Sequence, residues 1–362
     1  MSSRWSDYFL THQFSEFWSE RLAQADASVC LIVAIGFDPR CRTALKHILA
    51  VAPPERVSFI GLRLRSSVDS LESTRLANES GDQNLQALSS SGATAVAIGD
   101  VQLQDAMGFP SGGRTALNFV AARMEALRKF RHVVVDISGM PRSIFYPLIS
   151  FLCSRADQGL VQNLHVVVSD SAQLDAKIHL SEFGDADYMH TFRLAGKKKL
   201  VWLPVIASRE RDRILKIFNQ LKDDCVEICP VLSFPADPLR KPDDVLIDNN
   251  DVLFKELAVS SANLLLCDEQ NPFDIYRKIL GLHDYYVDKL SILVGEITTV
   301  VSPLSSRLLS LGALLAAIER KLPVSYVEAG TYNLDPDTMQ LYQNIDLKPI
   351  EIWLTGEPYK TD

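Results

Sequence analysis

Short, unbroken apolar runs rich in β-branched residues alternate along this chain with stretches whose apolar residues recur every three or four positions. In the first half the runs are CLIVAIG from Cys30, VSFIGL from Val57, ATAVAIG from Ala93, HVVVDIS from His132, LHVVVSD from Leu164 and MHTFRLAG from Met189. Runs this short and this continuous suit strands covered on both faces. The stretches RCRTALKHILAV, GRTALNFVAARMEALRKF and PRSIFYPLISFLCSRA carry the helical spacing. The alternation predicts an α/β fold of the Rossmann-like or flavodoxin-like kind, a mostly parallel sheet flanked by helices.

The second half repeats the plan. LVWLPVI from Leu200, CVEICPVL from Cys225, ANLLLCD from Ala262, SILVGEITTVVS from Ser291, PVSYVEA from Pro323 and PIEIWLTG from Pro349 follow in the same order. Their starts lie 170, 168, 169, 159, 159 and 160 residues beyond those of the first half. With 362 residues the chain holds two domains of ordinary size. The expected organisation is an N-terminal amphipathic helix over 1–27, a first Rossmann-like domain over 28–196 and a second over 197–362, related by internal duplication. The helix carries Phe9, Phe14, Phe17, Trp18 and Leu22 and would pack on the first domain or on a partner. Residues 66–92 read as an exposed polar helix and loop, and 171–199 and 331–348 as matching excursions.

Composition narrows the function classes. Net charge is −8, which argues against broad binding of nucleic acid. The six cysteines form no CxxC pair and mostly sit in apolar runs, as reduced thiols of a cytoplasmic protein do. Cys225 and Cys229 lie on one face of a strand without a histidine nearby, so no metal site is expected. The N-terminus lacks the pattern of a signal peptide, and no uncharged apolar stretch is long enough to span a membrane. No GxGxxG after a strand, Walker A, GxSxG, HExxH or deaminase pattern occurs, and no cofactor is expected. GFPSGGR at 108–114 reads as a flexible loop, the aspartate-rich 241–251 as a solvated acidic loop, and GKKKL at 196–200 as an exposed link. His132 and His165, which begin strands, read as structural.

In open parallel sheets ligands bind beyond the carboxyl ends of the strands. After the first strand the halves place Gly36-Phe37-Asp38-Pro39-Arg40-Cys41-Arg42 and Ala207-Ser208-Arg209-Glu210-Arg211. After the fourth they place Asp136-Ile137-Ser138-Gly139-Met140-Pro141-Arg142-Ser143 and Ser302-Pro303-Leu304-Ser305-Ser306-Arg307. The serines suit helix caps, Pro141 suits a first helical turn, and Gly139 permits a turn with positive φ. Arginine at all four helix starts is a departure, because the helix dipole disfavours a cation there. A bound anion would offset that cost, as would pairing of Arg40 or Arg209 with Asp38 or Glu210.

Tandem Rossmann-like halves with ligand loops after strands one and four resemble the CARF and SAVED sensor domains of prokaryotic antiviral systems. The resemblance is carried by Gly36–Arg42 with Ser208–Arg211 and by Ser138–Ser143 with Ser302–Arg307. It implies a pair of units that bind a cyclic or linear oligonucleotide signal. With no recognisable effector in the chain, output would come from a separate partner protein. Two other classes stay open: a nucleotide or sugar hydrolase or transferase using Asp38 and Asp136 as acid and base, and a purely structural assembly protein.

Overall fold

The computed structural model describes all residues but 1, 2, 25, 66–71, 106, 108, 176, 335, 336 and 360–362. In chain order the elements begin with β1 (Phe9–Thr11), α1 (Phe14–Leu22), β2 (Val29–Ile35), α2 (Thr43–Leu49), β3 (Val57–Arg65), α3 (Glu72–Ser89) and β4 (Thr94–Gln102). Next come α4 (Gly112–Ala121), α5 (Met124–Leu127), β5 (His132–Asp136), α6 (Arg142–Asp157), β6 (Asn163–Val168), α7 (Ala172–Asp175) and β7 (Ile178–Tyr188). The second half holds β8 (Lys199–Val205), α8 (Arg211–Leu221), β9 (Cys225–Ile228), β10 (Val231–Ser233), α9 (Lys241–Asp248), β11 (Leu265–Cys267) and α10 (Pro272–Val294). It ends with β12 (Ile297–Pro303), α11 (Arg307–Arg320), β13 (Ser325–Leu334), α12 (Thr338–Asn344) and β14 (Ile350–Thr355).

Contacts divide the chain into a larger unit, Asp7–Glu182 with Gly330–Asp362, and a smaller one, Met1–Ser6 with Phe183–Ala329. This differs from the expected boundary at 196/197: residues 183–196 fall in the smaller unit, and both ends of the chain leave the unit that sequence order suggests.

The larger unit holds a seven-stranded sheet in the order β4-β3-β2-β5-β6-β14-β1. The first five of these strands are parallel; β14 runs antiparallel to β6, and β1 antiparallel to β14. Every residue of β2, β5 and β6 is buried, which explains their unbroken apolar runs. Alternate residues of β2, from Val29 to Ile35, join a core with Phe14, Phe17 and Trp18 of α1 and Ala44, Leu45 and Ile48 of α2. The helical part of the N-terminal segment is therefore only Phe14–Leu22, and its aromatic face is inside this unit. The polar stretch after residue 71 is helical, as expected; residues 66–71 and 108 lie outside the described residues.

The smaller unit holds a parallel sheet in the order β11-β10-β8-β12, with β9 also on β8. A parallel bridge from Val301 to Val324 extends it. Asn271 caps α10, with Pro272 at its first position, and Gly295 at φ 82° ends it. α11 lies so close to α10 that a Cβ on Gly312 would stand 2.0 Å from the Pro272 carbonyl oxygen. Trp5 is buried here, edge-on to Tyr276 at 5.5 Å. β7 and β13 form a separate two-stranded sheet.

Two expected strands change place. MHTFRLAG from Met189 is not a strand, and PIEIWLTG forms β14 in the larger unit's sheet. Ser291 to Val294 belong to α10, so the fourth strand of the second half starts at Ile297.

Candidate functional site

In both sheets the chain reverses its direction of travel between the first and fourth strands of the half, β2 and β5 in the larger unit and β8 and β12 in the smaller. The crevice at such a switch point is where open α/β sheets take ligands. All four expected corners lie at these points.

The larger rim is closed from within. Asp38 caps a short 3-10 turn, Pro39–Arg42, by accepting from the Arg40 backbone N–H at 3.0 Å. The same carboxylate takes Arg40 Nε at 3.0 Å and Nη2 at 2.7 Å, while Nη1 donates to Asp175 at 2.8 Å. The Arg40 side chain is 0% exposed. Burial opposes its charge, but the Asp38 and Asp175 carboxylates outweigh this and hold its pKa above the usual arginine value. Arg40, expected to face a ligand, is thus a fixed counter-ion of its own loop. Arg42 stacks on Tyr342 at 4.9 Å. Gly36 accepts at its carbonyl from Asn84.

At the neighbouring corner, Asp136 accepts from Ser138 N–H at 2.9 Å, and Ser138 Oγ accepts from Ser169 N–H at 2.8 Å, tying the ends of β5 and β6. Gly139 does not use positive φ. It allows the two corners to touch, since a Cβ there would meet Asp38 Cβ at 3.3 Å. Pro141 is the N-cap of α6, and Arg142 and Ser143 sit half-buried in its first turn. Asp38 and Asp136, the expected acid and base, are both buried.

The smaller rim is open. Val205 pairs in register with Pro303, and Leu304 N–H donates to Val205 O at 2.8 Å, so the corners after β8 and β12 leave the sheet side by side. Ser208 and Arg209 are exposed. Arg209 has φ 61°, a left-handed conformation uncommon outside glycine. Its side chain makes no hydrogen bond or ion pair with any described residue. Arg211 pairs at the surface with Glu256 at 2.6 Å. On the other corner, Ser302 Oγ accepts from Trp202 Nε1 at 2.9 Å, and Ser306 caps α11 by accepting from Leu309 N–H at 3.3 Å. Ser305 is buried beside it, and Arg307 is half-buried at the first position of α11. Pro141 and Ser306 occupy the same N-cap position, as do Arg142 and Arg307 the first helical one.

Arg213 was not foreseen, nor were the partners of His132 and His165, which the sequence reads as structural. Arg213 is the smaller unit's buried arginine, paired with Glu210 at 3.0 Å and lying over Phe183 and Tyr326. Nothing local in the sequence identifies those aromatic partners. In the larger unit His132 Nδ1 lies 3.0 Å from His165 Nε2, and His165 Nδ1 lies 2.7 Å from Glu351 Oε1, which Trp18 Nε1 also supports through Oε2 at 3.0 Å. Burial pushes His132 down to about 4 and His165 well below the usual value, and raises the Glu351 carboxyl well above its own. The network is walled off from solvent, and it ties α1 and β14 to the parallel strands.

Among the described residues no group of three or more His, Cys, Asp or Glu is placed to hold a metal ion, and no helix is long and apolar enough to cross a membrane. No family model and no curated protein matches the chain. Similar solved structures include a "Putative Universal Stress Protein from Pseudomonas aeruginosa UCBPP-PA14", 9% identical at a TM-score of 0.25, covering 88% of this chain and 98% of that one. A universal stress protein from Archaeoglobus fulgidus DSM 4304 is 10% identical at a TM-score of 0.26, covering 84% and 98%. Neither likeness is close enough to transfer a residue role.

Proposed function

We propose that this protein is a non-catalytic ligand-sensing subunit that holds an anionic, nucleotide-like ligand at the smaller unit's rim and acts through a separate partner. The observation that carries this reading is Arg209. A non-glycine residue in left-handed backbone costs about 1–2 kcal/mol, and such strain concentrates at functional sites. Here it accompanies an exposed guanidinium with no partner among the described residues, at the sheet's switch point. Ser208, Arg211 and the first turn of α11, with Ser305, Ser306 and Arg307, complete the ligand surface.

The shared order of first, second, third and fourth strands in the two sheets supports internal duplication and the resemblance to tandem antiviral sensors. In that account the larger rim is a closed counterpart, with Arg40 held where a ligand would otherwise sit. A hydrolase or transferase using Asp38 and Asp136 would have to break the buried Asp38–Arg40 pair that closes this rim. A docking role for the N-terminal aromatic helix loses its exposed face, since Phe14, Phe17, Trp18 and Leu22 are core residues.

Isothermal titration with nucleoside triphosphates and with cyclic and linear oligonucleotides tests the proposal. Arg209→Gly relieves the backbone strain and removes the guanidinium. It should stabilise the smaller unit by about 1 kcal/mol while weakening binding about tenfold or more. Unchanged affinity in this variant would refute the assignment.

A further inference from the structure

One asparagine in each unit reaches the corner after the first strand from the crossover between the second and third strands. Asn84, on α3, donates Nδ2 to the Gly36 carbonyl at 2.8 Å. Asn249, directly after α9, donates Nδ2 to the Ala207 carbonyl at 2.9 Å and to Val245 O at 2.8 Å. Gly36 and Ala207 stand one and two residues past the ends of β2 and β8. α3 runs beside this corner, where a Cβ on Gly81 would make ordinary contact with the Gly36 carbonyl at 3.5 Å.

These donations fix the amide orientation, with nitrogen on the carbonyl and oxygen turned away. Asn84 is 0% exposed and Asn249 1%. Both Oδ1 atoms are buried and have no hydrogen-bond partner among the described residues. Buried side-chain acceptors are nearly always satisfied. The same orphaned acceptor recurs at one topological position in two units whose local sequences, NESGDQN and VLIDNN, share no pattern beyond the asparagine. At the open rim a ligand group that donates to Asn249 Oδ1 would satisfy it, and Asn84 keeps the same geometry at the closed rim.

We infer that Asn249 is a specificity residue whose amide oxygen accepts a hydrogen bond from a ligand's neutral O–H or N–H, with Asn84 its counterpart at the closed rim. At the smaller rim Asn249 holds the corner that carries the exposed Arg209, so that ligand carries a donor and an anionic group together. A ribose hydroxyl or an exocyclic base amine on a nucleoside phosphate has this chemistry. The anionic half rests on the function proposed above; the donor half stands on Asn249 alone.

Titration with ATP, 2′-deoxy-ATP, 3′-deoxy-ATP and ITP separates hydroxyl from amine as the donor. The wild-type protein should prefer ATP about tenfold over the one analogue that lacks the recognised donor. In Asn249→Leu that ratio should fall to one, and general destabilisation cancels because the ratio is taken within a single variant. Arg209→Gly should weaken all four nucleotides and preserve the ratio. Loss of the ratio in Asn249→Leu with full affinity in Arg209→Gly would keep this inference and overturn the anionic one. Equal ratios in wild type and Asn249→Leu for every analogue, or no binding by any of the four, would overturn it. Should Asn249→Leu not fold, a high-resolution structure with ATP decides: a ligand donor within hydrogen-bond distance of Asn249 Oδ1 supports the inference, and ordered water alone on that oxygen refutes it.

Discussion

Replacing Arg40 by methionine distinguishes a structural ion pair from a ligand hook. The guanidinium makes three contacts to Asp38, with Nη2 at 2.7 Å, and one to Asp175. The Asp38 side chain is 4% exposed and that of Asp175 is 50%. Water can therefore replace the guanidinium at Asp175 but not at Asp38. Removing one partner of a buried pair costs about 3–5 kcal/mol, and here nearly all of it falls on Asp38. Asp175→Asn alone should cost less than about 1 kcal/mol. Adding Asp38→Asn to Arg40→Met should recover most of the loss, because no buried charge is then left alone. The chain has two units, so a single unfolding transition is not assured. Amide hydrogen exchange of β2 and β5 reads the larger unit directly. Exchange there should accelerate about a hundredfold to a few thousandfold in Arg40→Met. Unchanged protection, with Arg40→Met instead abolishing nucleotide binding, would refute the closed-rim reasoning.

Burial keeps His132 neutral in the fold down to about pH 4, against an ordinary 6.5, so the unfolded chain takes up its proton first as pH falls. His132 should cost the larger unit on the order of 3 kcal/mol between those values, and exchange measured on His132→Gln should show a shallower acid limb, with the part due to His165 retained. Glu351 works in the opposite sense: its raised carboxyl contributes stability below about pH 4.5 that fades as pH climbs through the raised value, so Glu351→Gln should flatten the alkaline side. Gly312→Ala would drive a Cβ to 2.0 Å from Pro272 O and should destabilise the α10–α11 pair by about 1–3 kcal/mol. Gly281→Ala in the same α10 meets nothing within 4 Å and should stabilise it by about 0.5–1 kcal/mol; equal effects would contradict the packing. Burial raises the thiols of Cys30 and Cys267 to about 12 and of Cys225 and Cys229 to about 11. An aromatic disulfide reagent at pH 8 should therefore react with them only after denaturant is added, and a rapid stoichiometric thiol in the native protein would count against that burial.

The parallel strands were legible because two-sided burial leaves unbroken apolar runs, as in β2 and β5. β7 was missed because IHLSEFGDADY is polar, as a two-stranded ribbon allows. β14 read correctly as a strand and wrongly as the second half's own, since nothing in PIEIWLTG encodes which sheet it joins. The fourth strand of the second half was started too early by the apolar tail of α10. Gly295, a C-terminal stop at φ 82°, was the available signal. At the rims, arginine at a helix start marked four corners, but the sequence is nearly the same for a buried pair as for an open hook. Asp38 stands two residues from Arg40 and Glu210 one from Arg209; in the fold Asp38 takes its arginine, whereas Glu210 takes Arg213. The asparagines left no trace, since each acts through a carbonyl more than 40 residues away.

Native mass spectrometry of the wild-type protein and Arg209→Gly, each incubated with the nucleotide panel, addresses the open rim most directly. The account predicts a nucleotide adduct on the wild type that is absent from the variant. An adduct of equal intensity on both proteins, or none on either, would contradict it.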